Sequence, residues 1–286
     1  MVISEAFDRY CLEEIQLKGG APKTIRNYQS VKSSFIRICG DMPVTLITRD
    51  HGIRWQLCLE AEGKPSSTRS GYSSGLRMVL KYLKKRDHNV LDHYQVELPR
   101  VIIERKDHVT PIEARQMIDY ATRSRDKALM AVLWSSGSRI SEILNLNRDA
   151  LTATKQHVVG KNSKDVVVRL DDTARELIGK YLEERHDRLP ALFISSQMRR
   201  MTVQRAEQIV NQICGELGLQ RPDGMEKNIT PHSFRRGLAT DMDLNGAGIV
   251  DIQVALQHTN ISTTRGYINV SERRGDEVHA RFHTKV

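Results

Sequence analysis

Residues 230–267 begin with TPHSFRRG and end with LQHTNISTTRGY. His232 and Arg235 stand three positions apart, so one helix would present both on one face. His258 and Tyr267 follow in the second motif, again within sequence that has helical apolar spacing. The stretch therefore predicts helices that carry two imidazoles, a guanidinium and a phenol, an unusual set for most chemistry.

Two further cations lie upstream of this stretch. Arg139 begins RISE after a Gly-Ser turn. It stands at the start of a predicted helix over 139–147, where free backbone N–H groups also favour an anion. Lys161 lies in the polar tip GKNSKD of a predicted β-hairpin with strands over 156–159 and 166–170. A basic group at a hairpin tip could approach a bound substrate.

This combination of side chains suits attack by tyrosine on a phosphodiester without a metal ion. A phosphodiester carries one negative charge and gains a second as it becomes pentavalent. Two arginine forks can bind the non-bridging oxygens and neutralise that charge, a role that a metal would otherwise fill. The candidate catalytic residues are Arg139, Lys161, His232, Arg235, His258 and Tyr267.

The joint pattern, spread over residues 128–270, resembles the tyrosine recombinases, the integrase family that includes Xer, Cre and phage integrases. The resemblance implies that Tyr267 is the nucleophile and forms a 3′-phosphotyrosine link. Arg139 and Arg235 would clamp the phosphate. Glu142 would orient Arg139 through an i, i+3 contact.

The resemblance also implies the proton transfers. Lys161 would protonate the departing 5′ oxygen, with Lys164 as the rival for that role. His232 would accept the proton of the tyrosine hydroxyl or orient it, and His258 would donate a hydrogen bond to the phosphate. Arg236 stands where many relatives carry histidine, so we expect it to make a backbone or structural contact.

The chain is expected to be mainly α with one small β-sheet, arranged as a two-domain DNA clamp. Residues 1–97 read as a helical core-binding domain of the SAM-like type, with helices starting near Pro22, over 49–61 and after Pro65. Residues 98–109 read as an extended linker. Residues 110–286 read as an α+β catalytic domain with a C-terminal tail, which by resemblance would pack on a neighbouring subunit.

By resemblance to the family's core-binding domain, whose helices dock in the major groove, basic and hydroxyl side chains of the N-terminal helices are candidates for contacts with DNA phosphates or bases. Lys164 of the predicted hairpin tip is a further candidate. An ordinary basic surface is the plain alternative for each of them. The candidate DNA-binding residues are Thr24, Arg26, Arg69, Arg77, Lys81 and Lys164.

The composition of the chain indicates which class of binding partner to expect. The chain has 286 residues and a formal net charge of +9, which favours a polyanion, and no apolar run is long enough for a membrane span. Its four cysteines form no pair with the spacing of metal ligands, and the candidate histidines His232 and His258 have no third ligand at the spacing of a zinc site. The stretch Asn245-Gly-Ala-Gly lacks the Gly-Lys-Ser/Thr ending of a P-loop, which binds nucleotide phosphates. We therefore expect a cytoplasmic, nucleoid-associated protein without signal peptide, metal or cofactor.

The sequence therefore predicts a site-specific DNA recombinase that acts as a homotetramer on two short core sites, through a Holliday junction and without metal or ATP. The start of the chain at its first helix favours short core sites over an added arm-binding domain. Integration, resolution and chromosome dimer resolution remain open, as do accessory proteins. The alternatives are a type IB topoisomerase, which shares the chemistry, and a DNA-binding protein that has lost catalysis.

Overall fold

The fold is mainly helical with a single two-stranded sheet among the described residues, as the sequence predicts. It separates into two compact units, residues 1–104 and 105–286. None of the helices in the described ranges is long and apolar enough to cross a membrane. The computed structural model describes residues 1–101, 106–151, 155–159 and 165–257.

In its described residues, 1–101, the N-terminal unit contains four α-helices around an aromatic and aliphatic core. Phe35 and Trp55 are fully buried, and their rings meet edge to face at 5.2 Å between centroids. The helix predicted over 49–61 matches α3. The helices are α1 (Ile3–Tyr10, continued by a π-helical segment Cys11–Gln16), α2 (Pro22–Cys39), α3 (Arg49–Ala61) and α4 (Ser66–Lys84), with short 3₁₀ turns at Val44–Leu46 and His93–Gln95.

The second unit is built on a central helix. Helix α6 is buried on nearly all sides, from Ala128 to Leu133, and packs against α5, α8 and α10. The elements are α5 (Pro111–Tyr120), α6 (Ser124–Ser136), α7 (Ile140–Leu144), a 3₁₀ turn (Arg148–Leu151), β1 (Lys155–Val159), β2 (Asp165–Arg169), α8 (Asp172–Glu183), α9 (Val203–Leu217), α10 (Pro231–Leu244) and α11 (Ile249–Ala255).

Local sequence signals explain where two of these helices begin and end. Thr110 and Glu113 form the predicted capping box of α5: the Thr110 N–H donates to the Glu113 carboxylate at 2.8 Å, and the Glu113 N–H donates to the threonine hydroxyl at 3.3 Å. Gly137 ends α6 in the left-handed conformation, with φ of 54°. A Cβ there would also lie 2.7 Å from Leu238 and 2.8 Å from Leu256. Glycine therefore suits this turn, because it adopts the left-handed conformation without strain and a larger residue would also displace the ends of two leucine side chains.

Strands β1 and β2 form the predicted antiparallel hairpin, with Lys155 opposite Arg169, His157 opposite Val167 and Val159 opposite Asp165. Val158, Val166 and Val168 are buried, so the sheet packs one face on the core of this unit. The hairpin tip, residues 160–164, and the helix predicted over 260–270 lie outside the described residues.

Candidate active site

Arg139 stands at the N-cap of α7 and is held by a buried carboxylate. Glu142 is only 2% exposed. It accepts the Arg139 backbone N–H at 2.8 Å and the Arg139 Nη1 at 2.9 Å. The predicted i, i+3 contact is thus present, and it is charge-assisted. Because the arginine side chain keeps about a third of its surface exposed, at 35%, its guanidinium is oriented and can still meet a ligand.

Arg235 lies on α10 and is almost fully buried, at 3% exposure. Its Nη1 donates to the Gly137 carbonyl at 2.7 Å, and its Nη2 donates to the Leu256 carbonyl. One guanidinium therefore joins the end of α6, the second turn of α10 and the end of α11. Gly137 is two residues before Arg139, so this contact also brings the two candidate phosphate-binding arginines into one region.

His232 lies on the first turn of α10, one turn before Arg235, and part of its surface is exposed. Partial burial of the imidazole lowers the pKa of His232 below its ordinary value, because burial disfavours the charged form. That pKa is lowered further by the nearby positive charges of Arg236, Arg235, Arg139 and Lys106. The imidazole is therefore neutral at neutral pH and can accept a proton. The two candidate arginines lie in the same region, since Arg235 is one turn further along α10 and its guanidinium donates to the Gly137 carbonyl, two residues before Arg139.

A short segment, residues 106–109, crosses α10 and is fastened to it; we call it the strap. Arg236 donates to the Asp107 carbonyl from Nε at 2.9 Å and from Nη2 at 2.7 Å, which is the backbone contact expected for this residue. The Val109 N–H donates to the Ser233 carbonyl at 3.2 Å. At Gly237 an added Cβ would lie 1.9 Å from the Val109 carbonyl oxygen. The strap therefore lies directly on the helix of His232 and Arg235.

The strap is also bound from its other side. The Asp107 carboxylate accepts two hydrogen bonds from Arg221, at 2.7 and 2.9 Å, and one from the Asn228 N–H at 2.8 Å. Arg221 and Asn228 hold the pKa of Asp107 below its ordinary value against the effect of burial, with the Arg221 hydrogen bond as the largest cause. The sequence analysis missed Asp107, because a lone aspartate in a charged linker carries no signal of its distant partner.

Four candidates fall outside the described residues: Lys161, Lys164, His258 and Tyr267. The described residues come within two positions of Lys161, Lys164 and His258, whereas Tyr267 lies ten positions beyond Gln257. Strands β1 and β2 flank the tip that holds both lysines, and Gln257 precedes His258. The geometry of the candidate site is thus defined for Arg139, Glu142, His232 and Arg235.

The N-terminal candidates divide into two groups. Thr24, Arg26 and Lys81 are exposed. Arg77, in contrast, donates to the Val96 carbonyl at 2.6 Å, and Arg69 pairs with a carboxylate of α3 at 2.6 Å. These contacts show that Arg69 and Arg77 contribute to the packing of their own unit.

The four cysteines are free thiols. Within the described ranges, no group of three His, Cys, Asp or Glu side chains could hold a metal ion.

A helical unit that presents an oriented arginine, a buried arginine and a nearby histidine has the side chains that could bind a phosphate ester. The model of the phage integrase family matches residues 108–274, which is more than half of the chain, and the protein belongs to that family. Tyrosine recombinase XerD of Oceanobacillus iheyensis is 28% identical over 287 residues, covering 94% of this chain and 95% of the relative. Tyrosine recombinase XerA of Pyrococcus horikoshii is 28% identical over 281 residues, covering 95% and 90%.

Solved structures share the fold. The Tn1549 transposon integrase in complex with transposon right end DNA aligns with a TM-score of 0.79 and 14% identity, over 99% of this chain and 100% of that one. A lambda integrase dimer bound to a COC′ core site aligns with a TM-score of 0.79 and 16% identity, over 96% and 97%. At these identities the likeness establishes the architecture.

Proposed function

We propose that this protein is a site-specific DNA recombinase that cleaves and rejoins DNA through a 3′-phosphotyrosine link to Tyr267. The observation that carries the proposal is the arrangement of Arg139 and Arg235, one oriented by a buried carboxylate and the other fixed among backbone carbonyls. Family membership supports the same chemistry.

The two arginines would stabilise the pentavalent phosphate. Arg139 is partly exposed and would bind the non-bridging oxygens directly, while Glu142 holds it in place. Arg235 supplies a nearby positive charge from a dry site, where an electrostatic interaction is stronger than in water. Both groups are positioned before substrate binds, so little reorganisation is needed during the reaction.

His232 would receive or orient the proton of the Tyr267 hydroxyl, since its lowered pKa leaves the ring neutral at neutral pH. Lys161 would protonate the departing 5′ oxygen, with Lys164 as the rival, and His258 would donate a hydrogen bond to the phosphate. The phosphotyrosine link conserves the energy of the broken phosphodiester. The reaction therefore would need no ATP, and it would need no metal ion because the two arginines neutralise the charge that develops on the phosphate.

The N-terminal unit would act as the core-binding domain and residues 110–286 as the catalytic domain, which together would clamp double-stranded DNA. Thr24, Arg26 and Lys81 are the exposed candidates for phosphate or base contacts. The +9 net charge supplies a sequence-independent attraction to the duplex.

The working assembly would be a homotetramer on two core sites that exchanges strands through a Holliday junction. A lambda integrase tetramer bound to a Holliday junction has the same fold, with a TM-score of 0.76 at 17% identity. That likeness supports the assembly as a proposal for this chain. A protein that exchanges DNA strands would act at the nucleoid, in the cytoplasm.

The test uses a nicked suicide substrate that carries the DNA site, identified first as the sequence that the purified protein protects. Wild-type protein should form a covalent protein–DNA adduct in EDTA, and Tyr267→Phe should bind the site and form none. An adduct with Tyr267→Phe, or strict dependence on Mg²⁺, would refute the mechanism. Relaxation of a plasmid with a single site, without recombination between two sites, would instead indicate a topoisomerase.

A further inference from the structure

Gln257 has an unusual backbone conformation. It has φ of 55°, in the left-handed region, and only Asp87 and Met198 share this feature among the non-glycine residues that the structure describes. A side chain in this region is disfavoured because its Cβ crowds the following carbonyl. Such a conformation persists only where surrounding contacts hold it. In the sequence Gln257 directly precedes His258.

The contacts that hold Gln257 come from the hairpin. The Val167 N–H donates to Gln257 Oε1 at 2.9 Å, and Gln257 Nε2 donates to the Val167 carbonyl at 2.6 Å. The primary amide thus satisfies both backbone groups of one strand residue, in the way that a neighbouring strand would. The amide therefore lies at the edge of β2, although Gln257 and Val167 are 90 residues apart in sequence.

Neighbouring residues bind the same two segments together. Arg169, at the end of β2, donates from Nη1 to the Ala255 carbonyl at 3.2 Å. Arg235 donates to the Leu256 carbonyl. Three consecutive residues, 255 to 257, are therefore bonded either to β2 or to the buried arginine. The end of α11, the hairpin and Arg235 form one hydrogen-bonded group.

We propose that Gln257 is a positioning residue that fixes the hairpin carrying Lys161 against the chain that leads to His258. The inference rests on the proposed function, because it is the strand-cleavage reaction that would need Lys161 at a defined place. A glycine would adopt this φ without strain but would leave both Val167 backbone groups without the amide. The glutamine side chain therefore has a role that the turn alone does not require.

The test compares two glycine variants. Gln257→Gly keeps the left-handed turn and removes the amide. Met198→Gly is the matched control, because Met198 also has a positive φ, of 54°, and lies on an exposed turn in the same unit. Both variants are made in the full chain. Met198→Gly should unfold close to the wild-type temperature, because glycine relieves strain there. Gln257→Gly gains the same relief and loses two hydrogen bonds, so its unfolding temperature should fall only slightly.

The first measurement is hydrogen exchange at the Val167 N–H, which needs no activity. Exchange should be faster by roughly fivefold or more in Gln257→Gly and unchanged in Met198→Gly. Unchanged exchange in Gln257→Gly would overturn the proposal, because the amide would then not hold the strand. This result is independent of the proposed function.

The second measurement is single-turnover cleavage of ordinary DNA and of DNA with a 5′-bridging phosphorothiolate. A sulfur leaving group needs no proton, so it bypasses the work of Lys161. Gln257→Gly should cleave ordinary DNA ~10- to ~100-fold more slowly than wild type, as displaced catalytic groups do, and should recover on the sulfur substrate. Met198→Gly should match wild type on both.

The outcomes separate the two proposals. If Gln257→Gly cleaves ordinary DNA as fast as wild type, or if its defect persists on the sulfur substrate, Gln257 does not position Lys161. If wild type itself forms no covalent adduct on either substrate, the recombinase function fails, and the exchange result then stands alone as a statement about the hairpin.

Discussion

Replacing Gly237 with alanine should destabilise the second unit, although alanine favours helices more than glycine does. Gly237 lies within α10 beneath the strap. The added Cβ would lie 1.9 Å from the Val109 carbonyl oxygen and 2.9 Å from its carbon. These are backbone atoms of a fully buried residue. The strap must therefore move away from the helix.

The magnitude follows from three contributions. Forcing a methyl group into a packed site costs about 1–3 kcal/mol. Moving the strap also removes the hydrogen bond from the Val109 N–H to Ser233, at about 1 kcal/mol. The better helix propensity of alanine offsets about 1 kcal/mol. The free energy of unfolding should therefore fall by about 1–3 kcal/mol, which lowers the unfolding temperature of a unit of this size by on the order of 5 °C.

The assay is thermal unfolding of Gly237→Ala beside Gly215→Ala, which is the matched control. Gly215 lies within α9, and a Cβ there would meet nothing within 4 Å. The control substitution should raise the unfolding temperature slightly, because the better helix propensity of alanine adds about 1 kcal/mol to the free energy of unfolding. If Gly237→Ala unfolds at or above the temperature of wild type, the close packing of the strap on α10 is refuted.

Three further predictions concern charged side chains. Glu142→Gln should slow single-turnover cleavage by about tenfold, because Arg139 loses its buried anionic partner. DNA affinity in a gel-shift assay should not change. An unchanged cleavage rate would contradict the role of Glu142 in orienting Arg139. Arg236→Gln should raise the pKa of His232, because it removes a nearby positive charge that lowers it. The loss of cleavage on acidification should therefore begin at higher pH than in wild type, and coincident profiles between about pH 5 and 8 would count against a catalytic histidine. Arg77→Ala should lower the unfolding temperature, since it removes the hydrogen bond to the Val96 carbonyl. Arg26→Ala should leave that temperature unchanged and weaken DNA binding, with a salt dependence reduced by about one counterion; the reverse pattern would exchange their roles.

Local features of the structure could be predicted from the sequence. The start of α5 follows from Thr110, Pro111 and Glu113, because a capping box involves only neighbouring residues. The contact between Arg139 and Glu142 is similarly local, since it spans one helical turn. The fold class followed from apolar spacing, and the family followed from motifs that are specific only in combination.

Contacts between distant segments could not be predicted. The helix expected over 139–147 ends at Leu144, and Arg200 then binds the carbonyls of Leu144 and Leu146 from more than fifty residues away. Arg77 has the spacing of an exposed helix face, yet a later segment of chain returns to cover it. Apolar periodicity reports which face of a helix is buried, and it does not report which segment supplies the hydrogen-bond acceptors.

The strap has a practical consequence for protein engineering. Chimeric enzymes are made by joining the DNA-reading half of one protein to the cutting half of another. A junction placed at the predicted helix start, Thr110, would exchange residues 106–109 for a foreign sequence. The new chain would then have to fit over Gly237 and supply partners for Arg236 and Arg221. A junction before Lys106 keeps donor and acceptor groups from the same parent, so the transferable cassette begins at Lys106 and includes the strap.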